Sequence, residues 1–351
     1  MKNLLLASTA LIGFAGVAAA EVVIEGSAEM GVTGGDLKET QFHNSYNINF
    51  KMSGETDTGL SFGATYRLDA DGSSEENQNP AGDNGTVFIS GAFGKLTLGD
   101  TDGALDWAMT ETAMGTAITD EGTTHVGYNG NGDGFYDDQV LRYEYAFGDF
   151  GVALSVEQND ENVYTESDPV IAIGGKYKTE FSGIGLAFGL GYQGGEGIIS
   201  SSFDTDAVGV VDAAAFGEFD KFGVSAAATM DNGFSLILNY SKLEMDASSA
   251  LIEFGTTSFA TAINEDISVE HYGIGLGYEM GALLLHANYG KYEWDLPSVP
   301  GVDVEEDYDS FGLIANYDLG GGAILAAGYA SDVSAEDGDQ DQFSLGLSLS
   351  F

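Results

Sequence analysis

The chain has 351 residues, with 11 Lys and Arg against 56 Asp and Glu, a formal charge of −45, no Cys and 51 Gly. Such a surplus of acid excludes a nucleic-acid binder, whose phosphate partners must be met by Lys and Arg. The missing Cys excludes disulfides, thiol catalysis and thiolate metal sites, while 43% apolar and 11% aromatic residues separate the chain from charged, aromatic-poor disordered sequences.

Met1-Lys2-Asn3 is a short positive segment, Leu4 to Val17 an apolar core, and Ala18-Ala19-Ala20 a small-residue cleavage motif ahead of the polar Glu21. This pattern predicts a secretory signal over 1–20, cut between Ala20 and Glu21, and a mature chain of 21–351. No later run reaches the ~18 apolar residues of a spanning helix. The mature chain therefore stays soluble or enters a membrane as strands.

From residue 22 onward, apolar side chains recur at every second position. Tyr46, Ile48, Phe50 and Met52 alternate with Ser45, Asn47, Asn49 and Lys51. The same alternation holds for Leu60 to Leu68, Leu141 to Phe147, Leu186 to Tyr192, Phe234 to Tyr240, Tyr272 to Tyr278 and Phe343 to Phe351. One face is continuously apolar and the other is Ser, Asn, Gly and charge, which is the period of strands. Segments of about ten residues suit a tilted membrane strand.

Short turns at Ser53–Gly59, Gly91–Lys95, Gly148–Gly151, Asp231–Gly233, Glu279–Ala282 and Asp318–Gly322 alternate with long acidic loops. The loops are expected at 70–83, 101–138, 158–168, 194–220, 246–265, 294–306 and 331–340. Short turns on one rim and long loops on the other predict an all-β, closed antiparallel transmembrane β-barrel. An open edge in lipid would leave backbone groups unpaired. The strands number sixteen, and a further hairpin within 194–221 would make eighteen; either width leaves an aqueous lumen. Tyr46, Tyr66, Tyr143, Tyr192, Tyr240, Tyr278, Tyr289, Tyr317 and Tyr329 fall on the apolar face near strand ends, where amphipathic rings meet headgroups.

The last strand ends in Phe351, and the segment from Gly91 to Asp100 reads GAFGKLTLGD. With Glu21-Val22-Val23-Ile24-Glu25-Gly26 at the mature start, the chain resembles Gram-negative outer-membrane general porins of the alphaproteobacterial type. The resemblance covers the whole mature chain. It implies an outer-membrane location, a homotrimer, recognition of Phe351 by the barrel assembly machinery, and passage of small hydrophilic solutes. It also implies that the loop after the fifth strand, 101–137 here, folds inward and narrows the channel.

That loop combines acids (Asp102, Asp106, Glu111, Asp120, Glu121) with apolar anchors (Leu105, Trp107, Met109, Met114, Ile118) that a freely solvated loop does not need. By strand parity Lys51, Arg67, Lys95, Arg142, Lys176 and Lys178 point to the lumen, as the roughly 2–4 kcal/mol cost of a lipid-facing base requires. The resemblance suggests that Lys51, Arg67, Lys95 and Arg142 oppose the loop acids across the constriction. So few bases among so many acids predict a weakly cation-selective diffusion channel. No cofactor is required, although Asn129 to Asp138 gathers oxygen ligands, with Asp133, Asp137 and Asp138 as a candidate Ca²⁺ set. Two other readings stay open: a sugar-selective channel, which needs a run of lumen aromatics, and a non-conducting structural β-protein. An enzyme is not expected. His43, His125, His271 and His286 come with no nucleophile elbow, zinc motif or phosphate loop.

Overall fold

The computed structural model describes residues 20–71, 85–131, 140–158, 168–205, 209–254, 257–295, 307–333 and 340–351. Residues 1–19 of the expected signal segment 1–20, and the Ca²⁺ candidates Asp133, Asp137 and Asp138, lie outside them.

The strands are β1 (Glu21–Gly35), β2 (Gln41–Glu55), β3 (Ser61–Asp71), β4 (Gly85–Gly91), β5 (Gly94–Gly99), β6 (Val140–Phe147), β7 (Phe150–Glu157) and β8 (Val170–Phe181). They continue as β9 (Ile184–Thr205), β10 (Gly209–Met230), β11 (Phe234–Phe254), β12 (Thr257–Met280), β13 (Leu283–Asp295), β14 (Asp307–Gly320), β15 (Ala323–Ala330) and β16 (Gln342–Ser350). Each pairs antiparallel with its chain neighbours, and β1 pairs β16 with Val32 opposite Leu345, closing the barrel. Sixteen strands are thus observed.

Burial is inverted relative to a soluble protein. Ile24, Ile48, Leu98, Leu154, Ile173, Leu190, Leu276 and Leu313 are exposed on the outside, while Ser155, Gln193, Ser225, Asn239, Asn288 and Ser310 are buried within. This follows from period-2 alternation in a wall whose outer solvent is lipid. The short-turn rim is tight. At the β6–β7 turn Gly148 takes φ 61, which a glycine adopts without steric cost.

Two expected loops are strand in their described residues. Within 194–220 and 246–265, residues 194–205, 209–220, 246–254 and 257–265 belong to β9 to β12, which run 21 to 24 residues each. Their Gly, Ser, Ala and Asp content hides them from a pattern search. A strand beyond the lipid keeps its ladder but needs no apolar face. These extensions lengthen four strands without adding any, so the eighteen-strand alternative fails. Register shifts at Phe216/Gly217 and Ala247/Ser249 mark where they begin, as bulges that increase twist. Just inside, Val170, Phe219, Met245 and Ile267 form a buried apolar cluster, a departure from the expected polar inner face.

Above the outer girdle, tyrosine hydroxyls reach acids. Tyr240 Oη and Tyr272 Oη donate to Glu270 at 3.0 and 2.7 Å, and Tyr289 Oη donates to Asp309 at 3.1 Å. Lys242 and Lys291 share this outward face. Lys242 pairs with Glu244 at 2.9 Å and Lys291 with Glu293 at 2.8 Å.

Candidate functional site: the loop after β5

The chain leaves β5 at Gly99 and re-enters the wall at Val140. Its described part, through Asn131, lies along the inner wall. The stem is held by Arg142, whose Nη1 donates to the Asp102 carbonyl at 2.5 Å and stands 3.5 Å from Asp102 Oδ2. A single turn, α1 (Ala104–Ala108), follows. The Ala104 amide donates to Ser155 Oγ at 2.8 Å. Leu105 and Met109 are buried with Ala153 and Ala172, and Trp107 packs against them.

Beyond α1 the loop is clipped by lumen-facing polar side chains. The Thr110 amide donates to Ser225 at 2.9 Å. Asn316 accepts from the Thr116 amide at 2.9 Å and donates to the Thr116 carbonyl at 2.7 Å, as a neighbouring strand would. The tip crosses the β1–β16 seam, with Gln342 donating to the Thr119 carbonyl at 3.1 Å. The return limb runs back over β14, β13, β12 and β11. Asn288 donates to the Gly122 carbonyl at 2.6 Å, the Gly127 amide to Ser310 at 2.5 Å, and Asn129 to Ser241 at 3.0 Å. Lys221 ends the path on the Asn131 carbonyl at 2.6 Å.

Wall glycines let the loop lie this close. Gly174, Gly189, Gly275 and Gly290 face the backbone of Ala104, Ala108, Thr112 and Gly127, and a methyl at any of them would overlap it. These four glycines, which alternate with apolar residues in the sequence, are therefore part of the footprint of the loop. Sequence reasoning assigned them to the wet face without seeing this. The clipping residues Ser155, Ser225, Asn239, Asn288, Ser310 and Asn316 were missed as a set. Their only signal was lumen parity.

The loop contacts run from β6 round to β16 and β1. The remaining wall, β2 to β5, carries Lys51, Arg67 and Lys95. Each of these bases meets a carboxylate near it on the wall: Lys51–Glu25 at 2.6 Å, Arg67–Asp69 at 2.6 Å, Lys95–Glu144 at 3.6 Å. Arg142 differs from expectation. Its side chain is 8% exposed, because it fastens the loop stem rather than lining the opening.

The acids also divide. Asp102 and Glu111 are exposed, and Asp106 is half-buried. Tyr128 Oη donates to Glu111. Asp120, in a left-handed turn at φ 52, has its carboxyl held above the usual range by burial and by Glu121, against the pull of His43 and Arg67. Glu121 is 0% exposed, a correction to its expected place in the opening. It accepts from Ser344 Oγ at 2.7 Å and from Thr119, so it belongs to the seat of the loop.

His125 bridges the seat too, with Nδ1 2.7 Å from Ser310 Oγ and Nε2 3.1 Å from Asn288 Oδ1. Burial pushes its pKa down to about 4, against the Asn288 bond. His271 meets the Gly127 carbonyl at 2.9 Å, and His286 the Leu276 carbonyl at 2.9 Å. These histidines stand opposite Tyr292 and Gly277 respectively, well apart along the strands. Among the described residues no three His, Asp or Glu are grouped to hold a metal ion.

A closed sixteen-stranded barrel, apolar outside and polar within, with a long loop narrowing its interior, defines an outer-membrane channel. Known proteins match it. A family model described as Gram-negative porin matches residues 7–338. The porin of Rhodobacter capsulatus is 30% identical over 326 residues, covering 89% of this chain and 94% of that protein. A porin structure refined at 1.8 Å aligns with a TM-score of 0.65 at 25% identity, covering 94% of this chain and 100% of that one. A mutant of the Rh. blastica porin aligns with a TM-score of 0.57 at 18% identity, with the same coverage. The chain belongs to the Gram-negative porin family. It is an outer-membrane β-barrel diffusion channel for small solutes, and not an enzyme.

Proposed function

We propose that the pore is passive and weakly cation-selective. One observation carries the selectivity: Lys51, Arg67, Lys95 and Arg142 are each matched by a nearby carboxylate, while Glu111 and Asp120 stand exposed on the loop. The bases are offset and the acids are in excess, and an acidic ring favours cations. The same matching weakens the transverse field that unpaired bases would create.

The test is a reversal potential in a planar bilayer under a KCl gradient. The expected sign is K⁺ over Cl⁻, and Glu111→Gln with Asp120→Asn is expected to bring it toward zero. A Cl⁻-selective wild type would overturn the reading. A homotrimer belongs to the proposal and predicts conductance steps in threes. Recognition of the last strand by the assembly machinery is supported by Phe351, which is 79% exposed and pairs its backbone with Gly26 at 2.8 and 3.2 Å.

A further inference from the structure

Lys176 and Lys178 are two positions apart on β8, so both stand on its lumen face. They lie between the level of α1 and the short turn at 182–183, on the periplasmic side of the loop. The chain holds 56 Asp and Glu, yet this pair is not matched by them. Lys51, Arg67, Lys95, Arg142, Lys242 and Lys291 all take part in ion pairs. Among the described residues Lys176 and Lys178 take part in none. Of the neighbouring carboxylates, Glu144 and Asp102 are engaged by Lys95 and Arg142, and Glu180, two positions on from Lys178 along the same face of β8, makes no ion pair with it.

What meets Lys176 instead is Trp107. The ammonium lies 3.4 Å from the ring centroid and donates to the Trp107 carbonyl at 3.3 Å. An indole face attracts a cation without neutralising it. Gly151, opposite Lys176 on β7, leaves room: a methyl there would come within 3.1 Å of the indole and 3.3 Å of the lysine. Lys178 is exposed. The geometry is fixed from three elements, since α1 is tied to β7 through Ser155 and to β8 through its close approach to Gly174.

Like charges two residues apart on one face repel, and an anion between them turns that repulsion into attraction. We infer that Lys176, Lys178 and Trp107 form a transit subsite for a multivalent oxyanion, such as the phosphate group of a small solute, between the loop and the periplasmic mouth. Its position is compatible with a cation-preferring pore. At physiological salt charges act over about 8 Å, so acids elsewhere do not cancel a local pair. The inference rests on the lysine pair and not on the overall selectivity.

The probe is pyrophosphate. In the Trp294→Phe protein, Trp107 is the remaining one of the chain's 2 Trp, and its emission reads binding in detergent whether or not the channel conducts. The expected result is a saturable change absent with KCl of equal ionic strength. Lys178→Gln should weaken it about tenfold, as for loss of one charge-assisted contact, and Lys242→Gln on the outer face should leave it unchanged. In bilayers, pyrophosphate added at the short-turn side should interrupt the current in the parent and not in Lys178→Gln. Lys178→Gln keeps the Lys176–Trp107 contact, and heat-modifiable mobility checks its fold. No emission change, or binding indifferent to Lys178→Gln, would overturn the subsite.

Discussion

A buried carboxylate is costly unless it is met by donors, and Glu121 meets that condition only where the loop is seated. Ser344 and Thr119 donate to it, and Gly328 gives it room. With Glu121→Ala the donors at the seam lose their acceptor, a penalty of about 1–3 kcal/mol for a buried unsatisfied group. The barrel itself keeps every ladder bond. The expected outcome is thus local: unchanged heat-modifiable mobility, with single-channel conductance spread over a wider range as the tip samples other positions. Glu121→Gln retains an acceptor and should stay near the parent. Equal, narrow conductance in all three proteins would show that the tip is held without Glu121. The residue type was readable in the sequence, but its role was not. An acid in an acidic loop looks the same whether it faces the opening or the wall, and it takes contacts such as Gly31 and Gly346 against Ile118 to fix how deeply the tip sinks.

At the scale of the element, the loop is bound by a network that requires neutral His125. Ser310 accepts from the Gly127 amide, so its hydroxyl is left to donate to Nδ1. The other nitrogen then carries the proton toward Asn288 Oδ1, which already accepts from the Gly312 amide at 3.0 Å. A second proton would turn the Ser310 hydroxyl away from Nδ1 and place a charge in a buried site, which the loss of solvation opposes. The folded pKa, about 4, lies below the ordinary value near 6.5, so the unfolded limb binds the proton more readily. Stability of the seat is therefore full above pH 6.5 and declines as the pH falls from 6.5 toward 4. Protection of the amides at residues 122–129, taken relative to the intrinsic exchange rate at each pH, should fall over that window, and in His125→Gln it should stay constant there. A flat profile in the parent would contradict the network. Strands within lipid were legible because lipid enforces a greasy face on alternate residues, as at Leu186 to Tyr192. The continuation of the same strand to Thr205 was not, since Gly194, Gly195 and Ser200 to Ser202 answer to no such demand. The inward path of the loop was implied by Leu105, Trp107 and Ile118, which have no reason to be apolar in water. Its clips, such as Asn316 on Thr116, needed the register of strands two hundred positions away.

For the whole molecule the governing quantity is the imbalance of charge and the distance over which solvent lets it act. The bare wall of β2 to β5 is close to neutral because its bases have matched carboxylates, and the loop opposite keeps exposed acids. Cation preference is then a long-range effect of Glu111 and Asp120 on an aqueous gap, and not the result of direct coordination. Long-range effects are screened. The Debye length is about 10 Å at 0.1 M salt and about 3 Å at 1 M. The K⁺ over Cl⁻ preference should accordingly be largest in dilute KCl and shrink toward the ratio of free-solution mobilities at 1 M. Removing bases from the bare wall, by Lys51→Gln with Arg67→Gln, takes two positive charges from the opening and should raise the preference at 0.1 M while leaving the 1 M value almost unchanged. A preference that persists undiminished at 1 M would instead require ions to be held in direct contact with carboxylates, and the opening would then select by coordination.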